Sequence, residues 1–311
     1  MYLVSDIGGT NTRVALADEA GVRADTIESY KNGDEASFLD ILRQYCGKHS
    51  GGRIDGCCVA IAGPVTSHSA RLTNRDWHIV AADVGALLST ERVLLINDLA
   101  ALGNAVEDLN PSQLSSVRPS TPDATPNNQS LIVGIGTGFN LCAVQHQPSG
   151  RPACLSVEYG HCGLPSKVAD MLEHQFGERA AEIGTVEECF AGRGFQRLYA
   201  LASNGIERSG NEIMVAHSRG DDPAADQIVQ FYAELLSALC RELVFQYLPL
   251  NGVYFAGSVA RGVLSAVDHA NFAAAAGKGQ GMSQQFRHIP MSLITDDAAA
   301  LAGCLRRLTT R

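Results

Sequence analysis

Apolar and polar positions alternate over residues 2–5 and 12–17, the period of half-buried strands, and the glycine- and threonine-rich stretch between them predicts a hairpin. Unbroken apolar runs over 56–61 and 93–96 predict buried strands, with helical patterns at 78–88 and 99–106. Over 109–130 the pattern breaks. Pro111, Pro119, Pro122 and Pro126 stand among Ser, Thr and Asn, which predicts a surface crossing at a domain border. Strand, turn and strand restart over 131–144. The clearest helix spans 223–248. Asp222 caps it, Pro223 occupies its first turn, Ile228, Phe231, Leu235, Leu239 and Leu243 form its apolar stripe, and Pro249 stops it. Strands at 252–256 and 291–294 and a small-residue helix at 297–307 complete the pattern.

The chain thus reads as two α/β halves, each opening on a Gly/Thr hairpin, DIGGTN at 6–11 and GIGTGF at 134–139. Setting Gly8-Gly9-Thr10 over Gly136-Thr137-Gly138 puts Asp6 opposite Gly134, so one copy carries a carboxylate that the other lacks.

Composition narrows the function classes. A chain of 311 residues with 45% hydrophobic and 18% charged positions buries a sizeable core without difficulty. A net charge of -9, with no cluster of Lys and Arg, argues against a nucleic-acid partner. The first 17 residues read as strand, turn and strand rather than as a secretory leader, and no apolar run reaches membrane-spanning length. Nine cysteines, Cys142, Cys240 and Cys304 among them in apolar segments, suit reduced thiols better than a disulfide frame. The expectation is a cytoplasmic protein with neither nucleic acid nor membrane as partner.

A Gly/Thr hairpin turn exposes backbone N–H groups with no side chain in the way, a concavity suited to phosphate oxygens. Two such turns, Gly8 to Asn11 and Gly136 to Gly138, suit a polyphosphate gripped from two sides. Asp6 would then face a magnesium ion through water, because Mg²⁺ gives up its hydration shell reluctantly. Other nucleotide motifs fail: AAAAGKG at 273–279 lacks the first Gly and the Ser/Thr of a P-loop, and the glycines at 134–138 lead into a strand rather than a helix.

These residues carry a resemblance. Asp6-x-Gly8-Gly9-Thr10-Asn11, the turn Gly136-Thr137-Gly138 and the strand-turn Phe255-Ala256-Gly257 resemble the two phosphate motifs and the adenosine motif of the sugar kinase/Hsp70/actin ATPase fold. Ala60 to Pro64 (AIAGP), Leu72-Thr73-Asn74 with Trp77, Ile96-Asn97-Asp98 and Glu158-Tyr159-Gly160-His161 are similar to segments of the bacterial glucokinase family in particular. The resemblance implies a two-domain actin-like ATPase (ribonuclease H-like) α/β fold, with residues 1–109 plus 296–311 in a small domain and 110–295 in a large one. It implies ATP-dependent phosphorylation of glucose at the C6 hydroxyl, with Mg²⁺. Asp98 would be the catalytic base. Asn97, Asp98, Glu158, His161, Glu187, Thr73 and Asn74 would bind the sugar, and the glycine turns with Thr10, Asn11, Thr137 and Gly257 would bind the nucleotide. Asp98 has a competing structural job as the cap of the 99–106 helix, and His161 one as a structural hydrogen-bonding group. At 185–188 the sequence TVEE resembles a capping box, which occupies Glu188 and leaves Glu187 for the sugar. Family members are often homodimers, so a second copy is an expected partner.

This sequence departs from the family pattern at Asn140, where a Gly is usual, at Ser258, where a second Gly is usual, and at Ala260, where the usual Pro-Arg becomes Ala-Arg. No Cys-rich zinc motif follows His161, so no structural zinc is expected. The alternatives are a kinase for another hexose (mannose, fructose or an N-acetylhexosamine) and a non-catalytic sugar-binding regulator on the same fold. Departures on the adenine side leave ADP or polyphosphate open as donors.

Overall fold

The computed structural model describes residues 1–49, 52–72, 75–121, 125–148, 150–269, 272 and 287–310. Thr73, Asn74 and the segment 273–279 lie outside them. The chain divides into two compact units, the first made of Met1–Asn110, His146–Ser156 and Asp296–Arg311, the second of Pro111–Gln145 and Val157–Thr295.

The first unit begins with β1 (Tyr2–Ile7), β2 (Asn11–Asp18), β3 (Gly21–Val22) and β4 (Glu28–Lys31), followed by α1 (Phe38–Lys48) and β5 (Gly56–Ile61). Then come β6 (Ser69–Arg71), β7 (His78–Val80), α2 (Ala81–Leu88), β8 (Val93–Asn97) and α3 (Asp98–Ala105). Strand order is β3-β2-β1-β5-β8, with β4 also on β2; β1 and β2 are antiparallel, and β1, β5 and β8 run parallel. Every residue of β5 is buried, as its unbroken apolar run requires of a parallel strand covered on both faces. Cys57, Val59 and Ile61 join a cluster with Phe38, Ile41, Leu42 and Tyr45 of α1. Cys58 and Ala60 join Ala300, Leu301, Cys304 and Leu308 of the C-terminal helix Ala299–Thr309.

Two readings of the sequence change here. Residues 78–80 are strand rather than helix: β7 pairs antiparallel with β6, and the β-branched pair Ile79-Val80 suits a strand better than a helical turn. The segment His146–Ser156, expected in the 110–295 block, groups with the first unit. His146 Nδ1 lies 2.9 Å from Glu107 Oε1, Arg306 Nη2 lies 2.7 Å from Glu107 Oε2, and Asn104 Nδ2 donates to Cys154 Sγ at 3.4 Å.

The second unit holds β9 (Leu114–Arg118), β10 (Gln129–Ile135) and β11 (Phe139–Gln145), after which β12 (Ala153–Val157) crosses the border between units. There follow α4 (Ser166–Phe176), α5 (Val186–Phe190), α6 (Gly192–Ala202), α7 (Gly210–Arg219), α8 (Pro223–Tyr247), β13 (Gly252–Ala256), α9 (Ser258–Ala266) and β14 (Met291–Ile294). Its sheet runs β11-β10-β13-β14-β9. The antiparallel hairpin β10–β11 followed by parallel β13 and β14 repeats the connectivity of β1–β2 followed by β5 and β8. The duplication read from two turns is therefore a duplication of topology. Asp222 accepts from the N–H groups of Ala224 and Ala225, capping α8 as its sequence predicts, and Leu248 ends it in the left-handed region at φ 43°. Of the predicted stripe only Phe231 is half-buried, lying edge-on to Phe176. β9, in the proline-rich crossing, escaped the sequence reading. Of its residues only Val117 and Arg118 are buried, so its strand state comes from pairing with β14 rather than from its own pattern. Among the described residues no helix is long and apolar enough to cross a membrane.

Candidate active site

In the first unit, the Gly8–Asn11 turn closes with the Gly8 N–H donating to Asn11 O at 2.9 Å. Asn32, fully buried, braces it: its backbone N–H donates to Thr10 O at 2.9 Å, its Nδ2 to Gly8 O at 2.8 Å, and its Oδ1 accepts from Thr12 Oγ1 at 2.8 Å. The turn's shape is thus held from below, and Thr10 stays exposed. Asp6, near the carboxyl end of β1, faces Arg13 across the hairpin, with Arg13 Nη1 3.7 Å from Asp6 Oδ2 and Arg13 Nη2 3.3 Å from Asp297 Oδ2. Burial raises the Asp6 carboxyl to about 6, Arg13 pulls it down, and the negative Asp297 adds to the rise.

Asp98 stands where β8 passes into α3, at the carboxyl end of a parallel strand, the usual ligand position in an open α/β sheet. The cap of α3 is Asn97, whose Oδ1 accepts from Leu99 N at 3.0 Å and Ala100 N at 3.3 Å. The structural job that competed for Asp98 therefore belongs to its neighbour. Asp98 keeps some accessible surface, yet protein atoms surround it on most sides, and this desolvation pushes its pKa to about 7, the Asp6 charge adding to the effect. Hydrogen bonds from the Leu99 N–H (2.9 Å to Oδ1), its own N–H and the Asn97 side chain oppose the shift. A carboxyl titrating near neutrality is suited to receive a proton from a hydroxyl.

Asp6 lies close enough to Asp297 and Asp98 for their charges to interact, while Arg13 pairs with Asp6 and Asp297, a concentration of negative charge that a divalent cation would relieve. Among the described residues no group of three or more His, Cys, Asp and Glu is arranged to hold a metal directly. The donor set fits Mg²⁺ held through water by Asp6.

In the second unit, the Gly136 N–H donates to Gly138 O at 3.0 Å, and the Gly192 N–H, opening α6, donates to Gly136 O at 2.8 Å. Gly257 has φ +98°, and a Cβ there would fall on the Ile135 carbonyl oxygen. Only glycine lets this turn sit so close to the Gly136 turn. Ser258 is already the first residue of α9 and needs no left-handed backbone, so the second glycine of the family pattern is dispensable at this point. The N-termini of α6 and α9 both meet the Gly136 turn, an arrangement that favours anions.

The sugar-type residues of this unit gather beside the same turn. Glu158 and His161 are exposed at either end of the one-turn helix Tyr159–His161. Gly160 between them is buried, and a Cβ there would fall on the Phe139 carbonyl oxygen and stand 3.3 Å from Glu187 Cβ. Thr185 and Glu188 form the expected capping box, with Glu188 Oε2 accepting from Thr185 N at 2.9 Å. Glu187 turns the other way: its Oε2 accepts from the Phe139 N–H at 3.2 Å, and its Oε1 lies 2.6 Å from Arg193 Nη2.

The sequence-derived residues thus fall into one group per unit, Asp6, Gly8, Gly9, Thr10, Asn11, Asn97 and Asp98 in the first, Gly136, Thr137, Gly138, Glu158, His161, Glu187 and Gly257 in the second. Thr73 and Asn74 lie outside the described residues. Four supporting residues were missed. Arg13 was findable from hairpin register, as it lies opposite Asp6. Asn32 and Asp297 act across sequence gaps that no local pattern spans, and Arg193 reaches Glu187 across the junction of α5 and α6.

Residues 3–310 match the family model described as Glucokinase. The chain is 30% identical over 308 residues to the glucokinase of Sinorhizobium fredii, covering 97% of this chain and 90% of that one. It is also 30% identical over 314 residues to the glucokinase of Saccharophagus degradans, covering 97% and 96%. Its fold matches the crystal structure of a glucokinase from an Antarctic psychrotroph with a TM-score of 0.79 at 25% identity, covering 99% of this chain and 98% of that one. The actin-like ATPase fold, the paired glycine turns and a half-buried aspartate at a strand end thus coincide with a family match over nearly the whole chain: it belongs to the glucokinase family and is a hexose kinase.

Proposed function

We propose that this kinase transfers the γ-phosphoryl group of ATP to the C6 hydroxyl of glucose, releasing glucose 6-phosphate and ADP. One observation carries the reading: Asp98 sits at the carboxyl end of β8, relieved of capping by Asn97, with its pKa raised to about 7 by burial beside Asp6. As the O6–P bond forms and the bond to the β-phosphate oxygen breaks, Asp98 accepts the O6 proton. Most of the rate comes from alignment and charge stabilisation, because a loose phosphoryl transition state needs little proton removal.

The turns Gly8–Asn11 and Gly136–Gly138 offer backbone N–H groups to the phosphates, and Gly257 leaves room for the nucleoside side. Magnesium, held through water by Asp6, would neutralise phosphate charge. Asn97, Asp98, Glu158, His161 and Glu187 present amide, carboxylate and imidazole groups to the sugar hydroxyls, each of which donates and accepts. Thr73 and Asn74 complete the proposed set. The relatives' name, glucokinase, supports glucose over its epimers.

The test is ADP release with MgATP across glucose, mannose, fructose, N-acetylglucosamine and N-acetylmannosamine. Turnover strongest on glucose supports the reading; turnover strongest on another sugar replaces glucose with that sugar. Silence with MgATP and turnover with ADP or polyphosphate would change the donor.

Glu158→Gln should raise the sugar KM by roughly tenfold or more, with a smaller change in kcat, because it removes a charged acceptor for a hydroxyl. An unchanged KM would place Glu158 outside the sugar site.

A further inference from the structure

Asn140 is the residue at which this chain leaves the family's phosphate-turn pattern, and it lies within the second unit beside the sugar loop. It is the second residue after the turn, in β11, opposite Gly134. The equivalent place in the first hairpin is Arg13, opposite Asp6 and close to its carboxylate. Gly134 has no side chain for Asn140 to meet. The Asn140 carboxamide instead reaches the loop that carries Glu158: Nδ2 donates to Glu158 Oε2 at 3.0 Å, and Oδ1 accepts from Tyr159 N at 3.1 Å and Leu141 N at 2.9 Å. One amide therefore answers both the Glu158 carboxylate and the backbone just behind it. Its neighbour Phe139 does the same for the other carboxylate, with its N–H on Glu187 Oε2 at 3.2 Å. Glycine at 140 would leave Glu158 without that donor and the Tyr159 N–H without that acceptor.

We propose that Asn140 is a positioning residue for sugar binding: its carboxamide fixes the Glu158 carboxylate in the orientation that meets the sugar, using the second phosphate turn as its base. This rests on the reading of Glu158 as a sugar ligand. An exposed glutamate has three rotatable side-chain bonds, and holding its carboxylate before the sugar arrives lowers the ordering cost of binding. The amide donates and bears no charge, so the carboxylate keeps its full strength as an acceptor for sugar hydroxyls. The first phosphate turn has an internal ion pair at the matching place, whereas the second lends its strand to the sugar loop.

The experiment measures steady-state kinetics of the full-length enzyme with MgATP and whichever hexose the wild type turns over fastest, so a failure of the glucose reading leaves the test standing. Asn140→Ala should raise the sugar KM about tenfold, with kcat and the ATP KM within about threefold of wild type. Asn140→Asp keeps the size and the oxygen that accepts from Tyr159 N–H, but turns a second carboxylate on Glu158. It should raise the sugar KM at least as much as Asn140→Ala, with the melting temperature little changed. In a Glu158→Gln background, Asn140→Ala should add less than about twofold, since the two residues act as one unit. Asn140→Asp with a wild-type sugar KM would overturn the proposal in favour of a purely structural loop tie. So would an Asn140→Ala effect that persists undiminished beside Glu158→Gln. A normal sugar KM in Glu158→Gln itself would overturn both this proposal and the placing of Glu158, whereas a raised KM there with no Asn140 effect would overturn only this one. Should Asn140→Ala fail to fold, Asn140→Asp alone decides between the two roles.

Discussion

Asp98→Ala lowers kcat by at least ~10²-fold while sugar binding is largely kept, as loss of a general base implies. The substitution removes the proton acceptor and leaves Asn97, which caps α3, in place, so the helix start survives. Near-normal turnover would remove Asp98 from the base role. The same carboxyl sets the pH profile. With its pKa pushed to about 7 by burial and the Asp6 charge, kcat/KM should fall tenfold per pH unit on the acid side of neutrality and flatten above it. Stability moves the opposite way. The folded state binds this proton more tightly than an ordinary aspartate of pKa 3.8 does, so the favourable contribution is complete below 3.8 and is lost as pH rises through about 7. Asp98→Asn, which cannot ionise, should therefore be more stable than wild type at pH 8 by roughly 1–3 kcal/mol, after allowing for the accessible part of the side chain, and melt higher, with the gain gone near pH 4. A variant that is both inactive and more stable at pH 8 is the combined signature. Equal melting temperatures at pH 8 would show that Asp98 ionises without cost.

Gly303→Ala should lower the melting temperature by roughly 5–10 °C, from an overpacking cost of about 3 kcal/mol that the better helix propensity of alanine does not offset. Gly303 lies where the C-terminal helix crosses α3, and a Cβ there would fall on the Ala101 carbonyl oxygen and stand 3.2 Å from Ala105 N. Both obstacles are helix backbone, so relief requires the helices to part. The surroundings are small residues packed close: Ala101, Ala300 and Cys304 with Val4, Ala15, Cys58 and Ala60. The effect should also reach catalysis, because α3 begins at Asp98. Thermal melting checks the first part, and a kcat loss at a temperature where the variant remains folded checks the second. An unchanged melting temperature would show that the crossing has slack.

The sequence was most legible where a local rule acts alone. Residues 56–61, 252–256 and 291–294 read as strands with the observed bounds, because strands covered on both faces are short runs of mostly apolar residues. The Asp222 cap, the Thr185–Glu188 box and the paired glycine turns were equally plain, each being a contact between residues two to four apart. Sheet pairing was less so: β9 carries little pattern of its own and is a strand only because β14 lies beside it.

At the candidate site the chain's residue types announced the chemistry but not the division of labour. How Asn97 and Asp98 share the capping of α3 depended on side-chain rotamers that no spacing encodes. The sequence by itself determined the α/β duplication, the glycine turns and the apolar strand that ends at Asp98, because periodicity, capping and turn chemistry are settled within a few residues. Only the tertiary structure decided that Asn32 braces one turn, that Asp297 joins Arg13 beside Asp6, that Arg193 meets Glu187 and that Asn140 holds Glu158. Several of these partners lie far apart in the chain, and Asn140, Glu158 and their like are brought together only by strand register and helix packing, which the folded chain alone establishes.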